Sequence, residues 1–355
     1  MARTYRVAVV GATGAVGEEL RRLLDARDFP IEGDPVYVAS ERSAGRRLPW
    51  KDREVEVKAL APEVFEGIDI ALFSAGGARS KEYAPIAVER GAVVVDNSSA
   101  WRQDPDVPLV VSEVNPQDAM TRPKGIIANP NCTTMVLMVP VKPLHDTFGL
   151  TEMVATSYQA AGGAGQSGIS ELIEQARKFV EDADRLRLHG ADVEASVDAS
   201  TFSKAIAFNV LPHCGNFVDE RYTDEEWKLV NESRKILHAP DLRVSPTCVR
   251  VPVVVGHSLA ARLTFGRPVT REQALQALDG MPGMRIADGT GLDGETLEYP
   301  TPLASAGLDD VIVGRIREDL GDPHSLNIFV SGDNLLKGAA LNTVQIAELV
   351  AREGA

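Results

Sequence analysis

Over the first 130 or so residues, short apolar runs alternate with amphipathic stretches. Arg6 to Val10, Val36 to Ala39, Ile68 to Phe73 and Ala92 to Asp96 read as strands, while Val16 to Ala26 and Ser80 to Arg90 carry helical periodicity. Apolar strands separated by helices predict a parallel sheet covered on both faces, the doubly wound α/β class. Beyond residue 132 the pattern changes. Leu150 to Gln159, Ile206 to Leu211, Val244 to Val255, Leu259 to Phe265 and Val311 to Arg317 are strand-like, and Ile169 to Glu181, Asp224 to Leu237 and Arg271 to Leu278 are helical. That mixed order predicts an α+β domain with a largely antiparallel sheet. The polar segment Asp182 to Lys204 predicts an excursion or contact arm, and Leu335 to Glu353 an amphipathic helix that can return to the first domain.

The chain has 355 residues, with 51 acidic against 37 basic and a formal net charge of −14. This balance disfavours a nucleic-acid partner, which normally demands a basic surplus or stripe. No apolar run approaches a membrane span and the start lacks a signal-peptide core, so no membrane partner is expected. Cys132, Cys214 and Cys248 are too few and too far apart for a disulfide framework or a CxxC zinc site, which fits a reducing cytoplasm. The histidines carry no metal-ligand spacing, and no metal is expected.

Two motifs carry chemistry. Gly11-Ala12-Thr13-Gly14-Ala15-Val16-Gly17 lies between a strand and a helix, where small residues let backbone N–H groups and the helix N-terminus approach a pyrophosphate. At the end of the second strand, Ser40-Glu41-Arg42-Ser43 should meet the adenosine ribose. An acidic residue there suits a free 2′-hydroxyl and an arginine with serines a 2′-phosphate, and the reading taken is NADP. The second motif is Cys132 in Asn129-Pro130-Asn131-Cys132-Thr133-Thr134, before an apolar helical run. A thiol in the first turn of a helix gains acidity and oxyanion donors from the helix N-terminus. Such a thiol can hold an acyl carbon while a nicotinamide exchanges hydride with it. Pro140, inside that run, should kink or end the helix at a cost of about 3 kcal/mol.

Six further positions are ambiguous. Gln159 ends an apolar strand before a glycine-rich turn and suits either a substrate carbonyl or loop backbone. Arg250, in an apolar run, needs an anionic partner, a structural carboxylate or a substrate's. His257 suits a general acid/base titrating near neutrality or a satisfied structural role. Glu225 and Lys228, three apart on one helix face, suit a surface ion pair better, and Arg102 is equally open.

Taken together, GATGAVG, SERSAG, DNSSAWR (96 to 102), NPNCTT, SYQAAGGAG, TCVRVP with GHS, and SGDNLLKGAALNT (331 to 343) resemble the bacterial aspartate-β-semialdehyde dehydrogenases over essentially the whole chain. The resemblance implies a Rossmann-type NADP-binding domain of residues 1–131 with 334–355, a central catalytic and dimerisation domain of residues 132–333, and a homodimer or homotetramer. It makes Cys132 the nucleophile, Gln159 the residue orienting the acyl intermediate and His257 the acid/base. Arg250 would grip the substrate α-carboxylate, Glu225 its ammonium, and Arg102, Lys228 and Asn131 the phosphate. The cofactor set is Gly11, Thr13, Gly14, Ala15, Val16, Ser40, Arg42, Ser43, Ser74, Gly76, Gly162, Gly163 and Asn334. The implied reaction converts aspartyl-4-phosphate to aspartate-4-semialdehyde, with release of phosphate, on the way to lysine, methionine and threonine. Glu41 and Pro140 depart from the family pattern.

Two rivals differ in chemistry. N-acetyl-γ-glutamyl-phosphate reductases share the plan, but their thiol usually follows Asn-Pro-Gly, and Glu225 suits an ammonium better than an acetamide. A nucleotide-binding regulator without turnover has no use for an intact Cys132, Gln159 and His257.

Overall fold

Val7–Val10 form the first strand, β1, and all four residues are buried, which requires a sheet covered on both faces. The computed structural model describes residues 3–181, 183–292 and 294–354. After β1 come β2 (Val36–Ala39), a hairpin of β3 (Arg47–Trp50) and β4 (Arg53–Glu56), β5 (Lys58–Ala59), β6 (Ile70–Phe73), β7 (Val93–Asp96) and β8 (Ile126–Ala128). The hairpin aside, these build a parallel sheet in the order β5-β2-β1-β6-β7-β8. The chain leaves β1 towards β2 on one side and later enters β6 on the other. Doubly wound sheets take ligands at the carboxyl ends of the strands flanking such a reversal.

Two compact units result: Met1–Asn131 with Lys235–His238 and Leu335–Ala355, and Cys132–Arg234 with Ala239–Asn334. In the first, helix α1 (Ala15–Ala26) buries Leu20, Leu23 and Leu24 at helical spacing, each burial contributing about 1.5–3 kcal/mol. It packs on the carboxy-terminal helix Leu341–Glu353 in a core shared with Val9, Leu72, Val95 and Ile127. Helix α2 is Gly77–Glu89.

The end of the chain is not one amphipathic helix from Leu335. A π turn, Leu336–Ala340, comes first, with the Ala340 N–H reaching the Leu335 carbonyl at 3.0 Å. Lys337, within that turn, is 0% exposed, and its Nζ donates to Glu113 Oε1 and Gln345 Oε1 at 2.6 Å each. Ser112 Oγ and Gln345 Nε2 donate to the same carboxylate. Burial alone would raise the Glu113 pKa, but the Lys337 ammonium and these hydrogen bonds hold it below the ordinary carboxylate value.

The second unit starts with α3 (Cys132–Phe148) and continues through β9 (Leu150–Gln159), α4 (Gln166–Glu181), α5 (Ala183–Glu194), α6 (Asp224–Ile236), β10 (Arg243–Arg250), β11 (His257–Phe265), α7 (Arg271–Leu278), β12 (Met284–Ile286), β13 (Val311–Glu318) and β14 (Ser325–Gly332). The sheet order is β10-β9-β11-β14-β13-β12. It is a mixed sheet. The three inner pairings are antiparallel, as expected, but both edge pairings, β10 with β9 and β12 with β13, are parallel.

Three expectations need correction. α3 runs on through Pro140 and Pro143, because Met135 to Val141 are buried and packing enforces a conformation that proline resists. Ile206 to Leu211 is not a strand. Ile206 and Ala207 are buried in a satellite core, and their N–H groups donate to Gln175 Oε1 instead of to a ladder. The strand begun at Arg243 stops at Arg250, since Val253 and Val254 turn to accept hydrogen bonds from Ala161 and Gly162. Within the polar segment expected as an excursion or contact arm, Ala183–Glu194 is helical, as α5, with a break at His189, while Asp182 lies outside the described residues.

Candidate active site

In the first unit, the Gly11–Gly17 turn sits at the strand-order reversal. Gly11 has φ +91°, and a Cβ on it would stand 2.2 Å from the Ser74 carbonyl oxygen, so β1 and β6 approach too closely for any other residue. A Cβ on Gly17 would stand 2.1 Å from the Gly11 carbonyl oxygen. Gly14 is the N-cap of α1 and no side chain caps it, which suits a helix N-terminus that receives an anion. Thr13, Ala15 and Val16 lie in or just after this turn, and Ser74 and Gly76 follow β6, Gly76 capping α2 at φ +85°. Ser40, Arg42 and Ser43 lie just past β2 on a short 3₁₀ turn. Arg42 is exposed, and among the described residues its guanidinium forms no ion pair with Glu41 or any other carboxylate.

Arg102 and Asn131 also belong to the first unit. Arg102 is buried, with Nε on the Asn129 carbonyl at 2.9 Å and Nη2 on the Asn97 carbonyl at 3.1 Å. Asn129 is fixed in turn, donating to Asn97 Oδ1 and accepting from Asn342 Nδ2, at 2.6 Å each.

The second unit gathers the other chemistry at one end of its sheet. Parallel register places Arg250, last in β10, opposite Gln159, last in β9. The antiparallel β11 starts at the same end with His257. The peptide of Ala160 then ties two of these groups. Its N–H donates to His257 Nδ1 at 3.0 Å, and its carbonyl accepts from Arg250 Nη1 at 2.7 Å. Gln159 Nε2 reaches Glu225 Oε1 at 3.4 Å, on α6, and Lys228 Nζ donates to Glu225 Oε2 at 3.0 Å and Asp224 Oδ2 at 2.8 Å. The Glu225–Lys228 pair thus forms, with Glu225 largely shielded rather than on an open surface. Burial would lower the Lys228 pKa, yet Glu225 and Asp224 raise it to about 12.

Cys132 is the first residue of α3 and partly exposed, whereas Cys214 and Cys248 are buried. Burial pushes the Cys214 thiol up to about 12, with Arg250 opposing and Glu225 and Cys132 adding, so these three lie within electrostatic range of one sulfur. Burial likewise pushes Cys248 up. Gly162 and Gly163 form the turn over this group. A Cβ on Gly163 would stand 2.7 Å from Arg250 Nη1 and 3.1 Å from His257 Nε2. Asn334 falls in the second unit, its Oδ1 accepting from the Gly256 N–H at 2.8 Å.

Two findings revise the expectations for this group. Arg250 is buried without a structural carboxylate: among the described residues its partners are the Ala160 carbonyl and the face of Phe202, 5.7 Å from its guanidinium carbon. His257 does not titrate near neutrality. Burial, and then Arg250, push its pKa down to about 3. With Nδ1 accepting from Ala160, the assigned tautomer carries its proton on Nε2, a buried atom with no hydrogen-bond partner among the described residues. An unfolded histidine takes a proton below about 6.5, so the unfolded chain binds more protons between that value and about 3. Stability should therefore fall as pH drops through this window, by up to about 1.4 kcal/mol per pH unit. Denaturation midpoints of His257→Gln across a pH series should lose this slope, and an unchanged slope would rule the buried neutral ring out as its source.

Sequence reasoning missed Ala160, whose role is wholly backbone, and Phe202, whose partner is set by tertiary packing. Among the described residues no group of His, Cys, Asp or Glu is placed to hold a metal ion, and no helix is long and apolar enough to cross a membrane.

Two family models match the chain: semialdehyde dehydrogenase, NAD binding domain, over residues 6–121, and semialdehyde dehydrogenase, dimerisation domain, over residues 141–337. The aspartate-semialdehyde dehydrogenase of Corynebacterium glutamicum is 50% identical over 98% of this chain and 99% of its own length. That of Aquifex aeolicus is 46% identical over 99% of both. Among solved structures, aspartate semialdehyde dehydrogenase II of Vibrio cholerae complexed with ASA superposes with a TM-score of 0.91 at 40% identity, covering 100% of both chains. The Candida albicans enzyme with NADP gives a TM-score of 0.73 at 26% identity, covering 98% of both.

Proposed function

The chain belongs to the aspartate-semialdehyde dehydrogenase family, and from that premise we propose that it reduces aspartyl-4-phosphate to aspartate-4-semialdehyde with NADPH, reversibly, in a reducing cytoplasm. The observation that carries the reading is Arg250, a buried guanidinium beside His257 that has no carboxylate partner among the described residues. A substrate α-carboxylate supplies one, in the bidentate geometry that arginine favours. Glu225 meets the ammonium, and Lys228, Arg102 and Asn131 serve the phosphate.

Cys132 attacks the acyl phosphate, phosphate leaves, and a thioester remains on the sulfur. Gln159 orients the acyl oxygen. NADPH, when bound, supplies the hydride that turns the thioester into a hemithioacetal. His257, neutral and with its proton on Nε2, donates a hydrogen bond to the oxygen of the tetrahedral adduct, and collapse of that adduct re-forms the carbonyl and breaks the carbon–sulfur bond, releasing the aldehyde and returning Cys132 as the thiolate. The close-packed Gly11 turn and uncapped α1 N-terminus suit the pyrophosphate, with Ser40, Arg42 and Ser43 at the 2′-phosphate, Ser74 and Gly76 along the crevice, and Gly162, Gly163 and Asn334 at the nicotinamide. Residues 1–131 with the segment from Leu335 onward make the nucleotide domain, and the residues between them the catalytic and dimerisation domain of a homodimer or homotetramer.

The test is NADP reduction in the presence of aspartate semialdehyde and phosphate, with NAD and N-acetylglutamate semialdehyde in parallel. Turnover should require the free amino acid, because acetylation removes the charge that Glu225 meets. Efficient use of the acetylated substrate would transfer the chain to the arginine-type chemistry. Arg42→Ala should raise KM for NADP far more than for NAD, since only NADP offers a 2′-phosphate. Equal losses would mean that another group reads the ribose.

A further inference from the structure

We propose that Phe202 is a positioning residue for the substrate carboxylate: it covers one face of the Arg250 guanidinium and sets the direction in which the fork is open. The proposal rests on the reading that Arg250 grips that carboxylate. Arg250 Nη1 is spent on the Ala160 carbonyl at 2.7 Å, and the guanidinium carbon lies 5.7 Å from the Phe202 ring centroid. A cation with one face on a ring and one nitrogen on a peptide oxygen keeps its remaining N–H edge for an incoming anion. Shielding that face from water strengthens the charge–charge contact at the open edge.

The ring is held by helix α4. Gly168, Glu171 and Gln175 fall at i, i+3 and i+7, on one face of that helix. At Gly168 the helix packs closely on the turn and the ring: a Cβ there would stand 2.4 Å from the Ala161 carbonyl oxygen and 3.0 Å from Phe202 Cζ. Glu171 Oε2 accepts from the Ser200 N–H at 3.2 Å, the Ser200 hydroxyl at 3.3 Å and the Thr201 N–H at 2.7 Å, just before the phenylalanine. Gln175 donates to the Asp198 carbonyl at 2.7 Å and accepts from Ile206 and Ala207 beyond it. Both sides of the Phe202 loop are therefore fastened to one helix face by buried side chains. This gives the polar stretch after α4 a purpose that its composition conceals.

The experiment compares aspartate semialdehyde with 3-aminopropanal, which keeps the aldehyde and amine but lacks the carboxylate. In Phe202→Ala, KM for aspartate semialdehyde should rise about 3- to 30-fold, with kcat, KM for phosphate and KM for NADP within about twofold of wild type. The kcat/KM for 3-aminopropanal should not change. Phe202→Leu, which keeps an apolar side chain but removes the ring, should give a smaller rise of the same kind, and it carries the test if the alanine variant does not fold. Equal losses on both aldehydes would show a merely structural role and overturn the proposal. Arg250→Lys is run alongside. If it raises KM for aspartate semialdehyde and the two Phe202 variants do not, the proposal alone fails. If Arg250→Lys itself behaves as wild type, the carboxylate reading beneath it fails.

Discussion

Cys132→Ser should lose turnover by on the order of 10⁴-fold or more, while nucleotide affinity and denaturation midpoint stay at wild-type values. A serine hydroxyl is far less nucleophilic than a thiolate at neutral pH, and the acyl transfer then has no acceptor. Neither remaining thiol can substitute, since burial pushes both Cys214 and Cys248 well above the ordinary thiol pKa. Steady-state rates and thiol labelling test this together. The variant should lose the fast-reacting thiol along with activity, whereas Cys214→Ser and Cys248→Ser should keep both. Appreciable turnover in Cys132→Ser would mean that the acyl group never rests on this sulfur.

The largest effect on stability should come from Glu113→Ala, which strands the fully buried Lys337 ammonium without its carboxylate. Breaking a buried pair from one side costs about 3–5 kcal/mol, and replacing both partners with apolar residues costs far less. Glu113→Ala should therefore shift the denaturation midpoint strongly, and Glu113→Leu combined with Lys337→Met should recover much of the loss. The pair also sets an acid response. The Glu113 pKa is depressed in the fold, so its contribution is present above the unfolded carboxylate value, about 4.3, and is lost as pH falls through the lower folded value. The double variant should lack that component. A single variant as stable as wild type would show that water already solvates Lys337.

Where sequence boundaries coincide with strong local signals, the fold was legible to the residue. β2 is the apolar run Val36–Ala39, and α7 starts after Thr270, which forms a capping box with Gln273. Errors arose where apolar residues are buried without pairing, as at Ile206 and Ala207, whose donors are taken by a side chain from another element. Pro140 misled for the opposite reason, because surroundings outside the window outweigh a local preference against helix. In the site, residue identities were readable but their electrostatics were not. The low basicity of His257 comes from burial and from Arg250, and the register of two strands brings those together, not their spacing in the chain.

The carboxy-terminal helix has a consequence for how the protein is made. The unit around β1 includes residues from Leu335 onward, so the ribosome completes that unit only after it has finished the whole second one. At about 5–20 residues per second, the roughly two hundred intervening residues delay the last helix by about 10–40 s. Until it emerges, Leu20, Leu23 and Leu24 of α1 lack the surface on which they close, and the Glu113 carboxylate lacks its ammonium. Until then the apolar face of α1 has no partner surface from that helix. Emergence of the residues from Leu335 onward becomes the event that closes this unit.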